Sequence, residues 1–352
     1  MTRQDRAMLA SWVLLIGVLL QPISGSAQSM IDYTSEPVSM PKTTPPNILL
    51  VLDTSRSMYR ITYSSAFDPA NVYGGIFDAY ECYTYSSSRF QPDPAANPAT
   101  IPSSCGASYP WSGNLMNYMT MRRHDIMKWA LVGGWCAVAR DASGNCTRVK
   151  GADVTGFSCC EIRRTSVSAA LATGRVPASV LTNVGATLNF HLMGDQPNLT
   201  GGFCADNDST APGTSAATCD ASDTSDTYAE TFYKIVVDHP ETATGIINET
   251  GNKARFGIMH WNTSGTGDGG KVVADIGSDM LALGNAVDQA FTNSNTPLSE
   301  SLYEAVRYFA QLPPAFSGSD YSYTVLSRDP YYFNAPQWAD TSAYASCCKS
   351  NV

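Results

Sequence analysis

The chain has no CxxC pair and no HExxH, so its local motifs support neither a zinc ribbon, a thioredoxin-like centre nor a zinc peptidase. It also lacks runs of like charge and a basic patch. With 22 Lys and Arg against 31 Asp and Glu, its net charge is −9. Nucleic acid, which needs a basic face, is therefore excluded as a partner. The four histidines, His124, His191, His239 and His260, are scattered and share no ligand spacing; His260 lies in an apolar run and reads as a core residue. No general base stands at a defensible spacing from a serine, so the chain is not expected to be an enzyme. No internal repeat is found, and nothing after residue 20 is long and apolar enough to cross a bilayer.

What is present begins with an export signal. Arg3 and Arg6 precede an apolar stretch from about Ala7 to Leu20, and Gly25-Ser26-Ala27 offers small residues for cleavage. Residues 1–27 are read as a signal peptide, and the apolar core is too short for a comfortable membrane anchor. Residues 28–46, with Pro37, Pro41, Pro45 and Pro46, form a polar leader. Ten cysteines in an exported chain read as disulfides. The local pairs expected are Cys82 with Cys105, Cys136 with Cys146 and Cys204 with Cys219, although spacing alone does not fix connectivity.

From residue 47 to the end, apolar patterning predicts an α/β domain interrupted by insertions at about 59–112 and 135–228. Asn47 to Leu52 ends in an unbroken apolar run, as in a strand buried on both faces. One helix is predicted over Asn114 to Leu131, capped by Asn114 and stopped by Gly133-Gly134. Arg255–Trp261 and Lys271–Ile276 read as strands, and Ser278–Phe291 as a helix. A last helix runs from Pro297 to about Leu312, with Leu298, Leu302, Ala305, Val306 and Phe309 on one apolar face. The tyrosines Tyr80, Tyr83 and Tyr85 read as packing beneath a disulfide-bound loop, with a contact surface as the alternative.

The candidate chemistry sits where the first strand ends. Asp53, Ser55 and Ser57 place hard oxygen donors just beyond the carboxyl end of a buried strand, the usual ligand position in open parallel sheets. Such donors suit Mg2+, or Ca2+ or Mn2+ in its place. The two hydroxyls ligate directly, and the aspartate holds a coordinated water. The competing reading is a turn whose Ser and Asp groups cap the next helix. Thr296, just before Pro297, is the proposed third hydroxyl ligand, and an N-cap role there is compatible with ligation.

Several segments together resemble one family. NILLVLDTSRSM, VYGGIFDAYECYTYSSSRFQP, GNLMNYMTMRRHDIMKWALVGG, RFGIMHWN and NTPLSESLYEAVRYF occur in the order found in the N-terminal region of PilY-type type IV pilus tip adhesins. The resemblance spans about residues 47–312. It implies a Rossmann-like von Willebrand factor A fold, a mostly parallel sheet with large disulfide-stapled insertions, and a metal-ion-dependent adhesion site at Asp53, Ser55, Ser57 and Thr296. It further implies export to the periplasm and the pilus tip, with minor pilins and host or abiotic surfaces as partners. Pilus assembly, adhesion, twitching motility and surface sensing are the implied roles. The family's TDG-like motif, its calcium loop and its β-propeller find no counterpart here. The domain is thus expected to be C-terminally incomplete and to lack its last strands: one part of a split protein, a truncated product, or a domain completed, together with a β-propeller, by a separate chain. A purely structural pilus biogenesis factor, or a truncated or split fragment without a working metal site, is the alternative.

Overall fold

The computed structural model describes residues 45–95, 99–151, 163–182, 184–195, 200–206, 231–262, 269–290, 296–310, 312–316 and 350–351. The expected signal peptide and most of the leader lie outside them. The first elements are β1 (Asn47–Leu52), β2 (Cys82–Ser86), β3 (Arg89–Pro92), β4 (Trp111–Ser112), α1 (Gly113–Thr120) and α2 (Arg123–Val132). Then come β5 (Trp135–Cys136), β6 (Cys146–Lys150), β7 (Arg163–Ser168), α3 (Ala169–Ala172), β8 (Thr187–Asp195), β9 (Thr200–Asp206), β10 (Phe232–Lys234) and β11 (Val236–Ala243). The last are α4 (Ile246–Thr250), β12 (Arg255–Trp261), β13 (Gly270–Ala274), α5 (Met280–Asp288), α6 (Leu298–Phe309) and β14 (Ser350–Asn351). Among the described residues no helix is long and apolar enough to cross a membrane.

These elements make a mixed α/β structure with three sheets. The first has the order β13-β12-β1-β14. β1 runs parallel to β12, with Asn47 opposite Arg255 and Leu52 opposite His260, and parallel to β14 on its other side. β13 is an antiparallel edge. Helices cover both faces, which is why β1 can be apolar from Ile48 to Leu52. On one face Ala305, Tyr308 and Phe309 of α6 meet Leu49, Met259 and Ile276. On the other, Leu283, Ala286 and Val287 of α5 and Val132 of α2 meet Leu52, Phe256 and Ile258.

The two strands and the α5 helix expected after residue 254 form close to where the sequence puts them, and Asp279 caps α5 by accepting from Ala282 N–H at 2.7 Å. α6 forms too, but it is turned about its axis relative to its apolar pattern. Leu298, Leu302 and Val306 are 51%, 43% and 60% exposed, while Ser301, Glu304, Ala305 and Tyr308 are buried. Polar contacts hold that face inward. Ser301 Oγ donates to the Gly269 carbonyl at 2.8 Å, and Tyr308 OH accepts from Ile276 N–H at 3.2 Å. Glu304 Oε1 accepts from Ala315 and Phe316 N–H at 2.8 and 2.7 Å.

The single helix expected over 114–131 is instead α1 and α2, broken at Met121-Arg122. Here the chain after the 3-10 turn Arg56–Tyr59 crosses the helix. Ile61 and Arg122 form an antiparallel bridge, with Thr62 N–H donating to the Met121 carbonyl and Arg123 N–H to the Arg60 carbonyl, both at 3.0 Å. Asp125 accepts from Arg122 N–H at 3.0 Å and restarts the helix. Apolar spacing continues across the break, so periodicity does not reveal it. The N-cap of α1 is Ser112 rather than Asn114. Gly133, at φ 75°, ends α2 as expected, and a Cβ there would lie 2.4 Å from the Ala243 carbonyl carbon.

The segments read as insertions build a second core. The six-stranded sheet has the order β4-β2-β3-β11-β6-β5, and β10-β9-β8-β7 form an antiparallel sheet of four. In these two sheets all pairings except β11 with β3 are antiparallel. Parallel pairing is therefore limited to β1 with its two neighbours and to the single β11–β3 register, in place of the mostly parallel arrangement expected. Phe90, Trp111, Phe190 and Phe203 pack at the centre, with the Phe190 and Phe203 rings stacked 4.2 Å apart. Disulfides join Cys82 to Cys105 and Cys136 to Cys146, as expected. Cys204 is also disulfide-bonded, and its expected partner Cys219 lies outside the described residues.

Candidate functional site

The chain leaves β1 at Asp53 and turns at once. Asp53 Oδ1 accepts from Ser55 N–H at 2.7 Å, the Asx-turn contact that a carboxylate two residues upstream makes easily. The turn brings Ser55 Oγ to 2.8 Å from Ser57 Oγ. Ser55 is 3% exposed, Asp53 is half-buried and Ser57 faces solvent. Thr54 is buried and its hydroxyl donates to the Trp261 carbonyl at 3.4 Å, which ties the loop to the end of β12. The 3-10 turn then carries Tyr59 inward against His124, ring centroids 5.8 Å apart.

Thr296 is exposed and precedes α6, whose N-cap is Pro297 rather than Thr296. The first turn of α6 is tied to the carboxyl end of β12. Ser301, one turn into α6, donates to Gly269, and the Gly269 carbonyl also accepts from Asn262 N–H at 3.0 Å, just past β12. Trp261, the last residue of β12, pairs with Gly270 and accepts the Thr54 hydroxyl. Among the described residues, the hydrogen bonds that join Asp53, Ser55 and Ser57 do not extend to Thr296.

The spacing of the two serine hydroxyls is compatible with a small hard cation. Metal–oxygen distances of ~2.0–2.1 Å in an octahedron place neighbouring ligand oxygens ~2.9 Å apart, close to the spacing of the two serine hydroxyls. Asp53 Oδ1 is engaged by the Ser55 amide, which leaves its second oxygen available to a water on the ion. Among the described residues no three His, Cys, Asp or Glu side chains gather into a metal group, and a hydroxyl-rich set with one carboxylate is a different donor class.

Behind the rim lies a buried basic cluster that sequence reasoning missed. His124 and Lys128, one helical turn apart on α2, reach the end of α5: His124 Nε2 contacts the Ala290 carbonyl, and Lys128 Nζ donates to the Asp288 carbonyl at 2.6 Å. Cations are favoured at such a carbonyl-rich helix end. Arg140, whose side chain is fully buried, grips both oxygens of Asp288 at 2.8 and 2.9 Å and donates to the carbonyls of Val132, Gly134 and Gly144. Lys128 Nζ also lies 4.1 Å above the Trp135 ring. Burial pushes Lys128 down to about 7, and burial followed by Lys128 pushes His260 down to about 4. His124 is held well below the usual histidine range by burial, then by Lys128. The core placement expected for His260 is therefore correct, although its Nε2 is buried without a partner. The i, i+4 spacing of His124 and Lys128 was visible in the sequence, but nothing local marks the helix end they serve.

The inserted core gives the comparison that bears on identity. Residues 64–217 match the family model described as PilY1 homolog, small alpha/beta domain. The match supports a PilY1-type relationship and a function related to type IV pili. It covers β2 to β9 and leaves β1, β12 and the Asp53 loop outside the matched span. No curated protein and no solved structure matches the chain.

Proposed function

We propose that this protein is an exported, non-enzymatic adhesion and assembly component of type IV pili, carried through the periplasm to the pilus tip. In this reading Asp53, Ser55, Ser57 and Thr296 hold a divalent cation at the rim of a von Willebrand factor A-like sheet. The carrying observation is the 2.8 Å approach of Ser55 and Ser57 at the carboxyl end of β1, beside a parallel neighbour. The strand order, with β12 and β14 parallel to β1 and β13 antiparallel at the edge, supports the sheet assignment. A bound Mg2+, or Ca2+ or Mn2+, would supply an open coordination position for an acidic group on a minor pilin or surface. Asp53 shapes the loop through the Ser55 amide, Ser55 and Ser57 offer hydroxyl oxygens, and Thr296 adds a third from the α6 side. Attachment, twitching motility and surface sensing follow from a tip adhesin of this kind.

The test is a calorimetric Mg2+ titration of wild type and Asp53→Ala with parallel attachment assays. The reading predicts that Asp53→Ala loses metal binding and attachment together, and equal values in both proteins reject it. A structural role without metal is the second reading, favoured by the hydrogen bond between Ser55 and Ser57, which gives each hydroxyl a partner without an ion. Under it, Asp53→Ala keeps pili intact while deletion of the whole chain abolishes them.

A further inference from the structure

A pocket of about 380 Å³ opens on the inserted module, between the loop 72–80, α2 and the end of β11. Its volume is that of a small-ligand or side-chain site. Two large rings stand half-open at its mouth: Trp129 of α2 is 38% exposed and Tyr80 is 37% exposed, with Val72 at 55% beside them. Tyr73 and Phe77 supply the buried floor. The polar side chains are Asp78, His239 and Thr244.

The loop that forms one wall is pre-built. Tyr73 N–H donates to Asn114 Oδ1 at 2.8 Å and Phe77 N–H to Asn117 Oδ1 at 3.1 Å. Asn117 Nδ2 donates to the carbonyls of Tyr73 and Phe77 at 2.8 and 2.7 Å, and Asn114 Nδ2 to that of Asn71 at 2.9 Å. Tyr63 OH donates to the Gly74 carbonyl at 2.7 Å. Two asparagines buried in α1 are thus fully occupied in fixing this loop, so little ordering cost remains for a ligand.

The electrostatics are one-sided. Asp78 is exposed at the mouth, and its field reaches both Glu81 and His239. Glu81 is raised above the usual carboxylate range by burial, then by Asp78 and Asp93, so three acids crowd this edge. His239 is held below the usual histidine range by burial, against the opposing pull of Asp78 and Asp238. Arg89 and Arg148, on β3 and β6, are both paired with Asp238. Aromatic faces beside carboxylates favour a cation with an apolar stem.

We propose that this pocket receives an arginine or lysine side chain of a protein partner, stacked on Trp129 and Tyr80 and paired with Asp78. The site is separate from the Asp53 rim and does not depend on a metal there.

The experiment is calorimetry on the full chain at low salt with N-acetyl-arginine amide, and with N-acetyl-citrulline amide as the neutral match. Millimolar binding is expected for the arginine probe, the range for one well-placed side chain. The citrulline probe is expected to bind about tenfold more weakly. Trp129→Ala and Asp78→Asn should each weaken binding about fivefold. Asp78→Asn retains the Oδ1 acceptor for Tyr80 N–H, so the turn survives. Gly74→Leu should abolish binding, because a Cβ at 74 makes only ordinary contacts, 3.7 Å from Tyr63 OH and 3.9 Å from the Trp129 ring, and a longer side chain extends into the space. Absence of arginine binding, equal citrulline binding, or unchanged affinity in Trp129→Ala and Asp78→Asn overturns the proposal. Tighter binding of tetramethylammonium than of the arginine probe would assign the pocket to a quaternary ammonium group and overturn the partner named here.

Discussion

Leu49, Leu52, Ile258 and Met259 meet around β1 and β12, where helices close both faces of the sheet. In the inserted module rings make up a larger share of the core, with Tyr83, Phe90, Trp111, Phe190 and Phe203 packed among aliphatic residues such as Val149 and Leu188. The first region relies mainly on aliphatic side chains, which pack well on a pleated surface between helices. The second has strands as short as two residues, β4 and β5, and holds them with large rings and two disulfides. The difference teaches how each region presents chemistry. A sheet buried on both faces can expose polar groups only at its rim, and Asp53, Ser55 and Ser57 lie there. The ring-packed module leaves Tyr80 half-open at its surface beside Asp78, next to Trp129 of α2.

The largest expected effect breaks the ring-based core. Trp111 is 1% exposed and its ring lies 4.9 Å from Tyr233 and 5.6 Å from Phe90. Trp111→Ala should lower unfolding free energy by about 3–5 kcal/mol in urea denaturation. A loss below ~1 kcal/mol would remove the contrast between the two cores. Next in size is the staple between Cys82 and Cys105, which closes 23 residues. Replacing both cysteines by serine should cost about 2–4 kcal/mol and leave α5 and α6 in place, as hydrogen exchange would show. A slowly exchanging inserted module in that variant would mean the rings suffice alone.

The smallest effect sharpens the boundary between the regions. His260 on β12 is pushed down to about 4 by burial, then by Lys128 from α2 and Lys271, with the Ala286 carbonyl opposing. Its folded value lies below the unfolded one, so the unfolded chain binds the proton more readily. Stability should therefore fall as pH drops from about 6.5 to about 4, at roughly 1 kcal/mol per pH unit at most from this group. His260→Gln should flatten the curve measured by denaturation at each pH, and an unchanged slope would show that His260 does not contribute to it.

Much of the first region was legible in the sequence. Arg255–Trp261 reads as a strand because it is one, and α5 begins at its aspartate cap. What escaped was orientation and long-range pairing. α6 buries Ser301, Glu304 and Tyr308 because Ser301 and Tyr308 find polar partners at the sheet and Glu304 accepts from the chain just after the helix, and an apolar tally cannot weigh such partners. The helix break at Arg122 depends on Ile61, 61 positions upstream by number, and the six-stranded sheet draws strands from segments separated by more than a hundred residues. The Asp53-Ser55-Ser57 loop was legible because its three residues are local. The pocket was not, because Tyr80, Trp129 and His239 come from three separate segments. Of the tyrosine run, Tyr83 packs in the core, Tyr85 is partly buried and Tyr80 remains at the surface beside Asp78.

The most direct measurement is Mn2+ broadening of threonine methyl resonances in the full chain, with the Thr296 and Thr54 signals identified through Thr296→Ala and Thr54→Ala. If oxygens from the β1 loop and the α6 start share one ion, both signals broaden at low Mn2+ and recover in Asp53→Ala. Broadening of Thr54 with an unchanged Thr296, or of neither, would contradict the shared site.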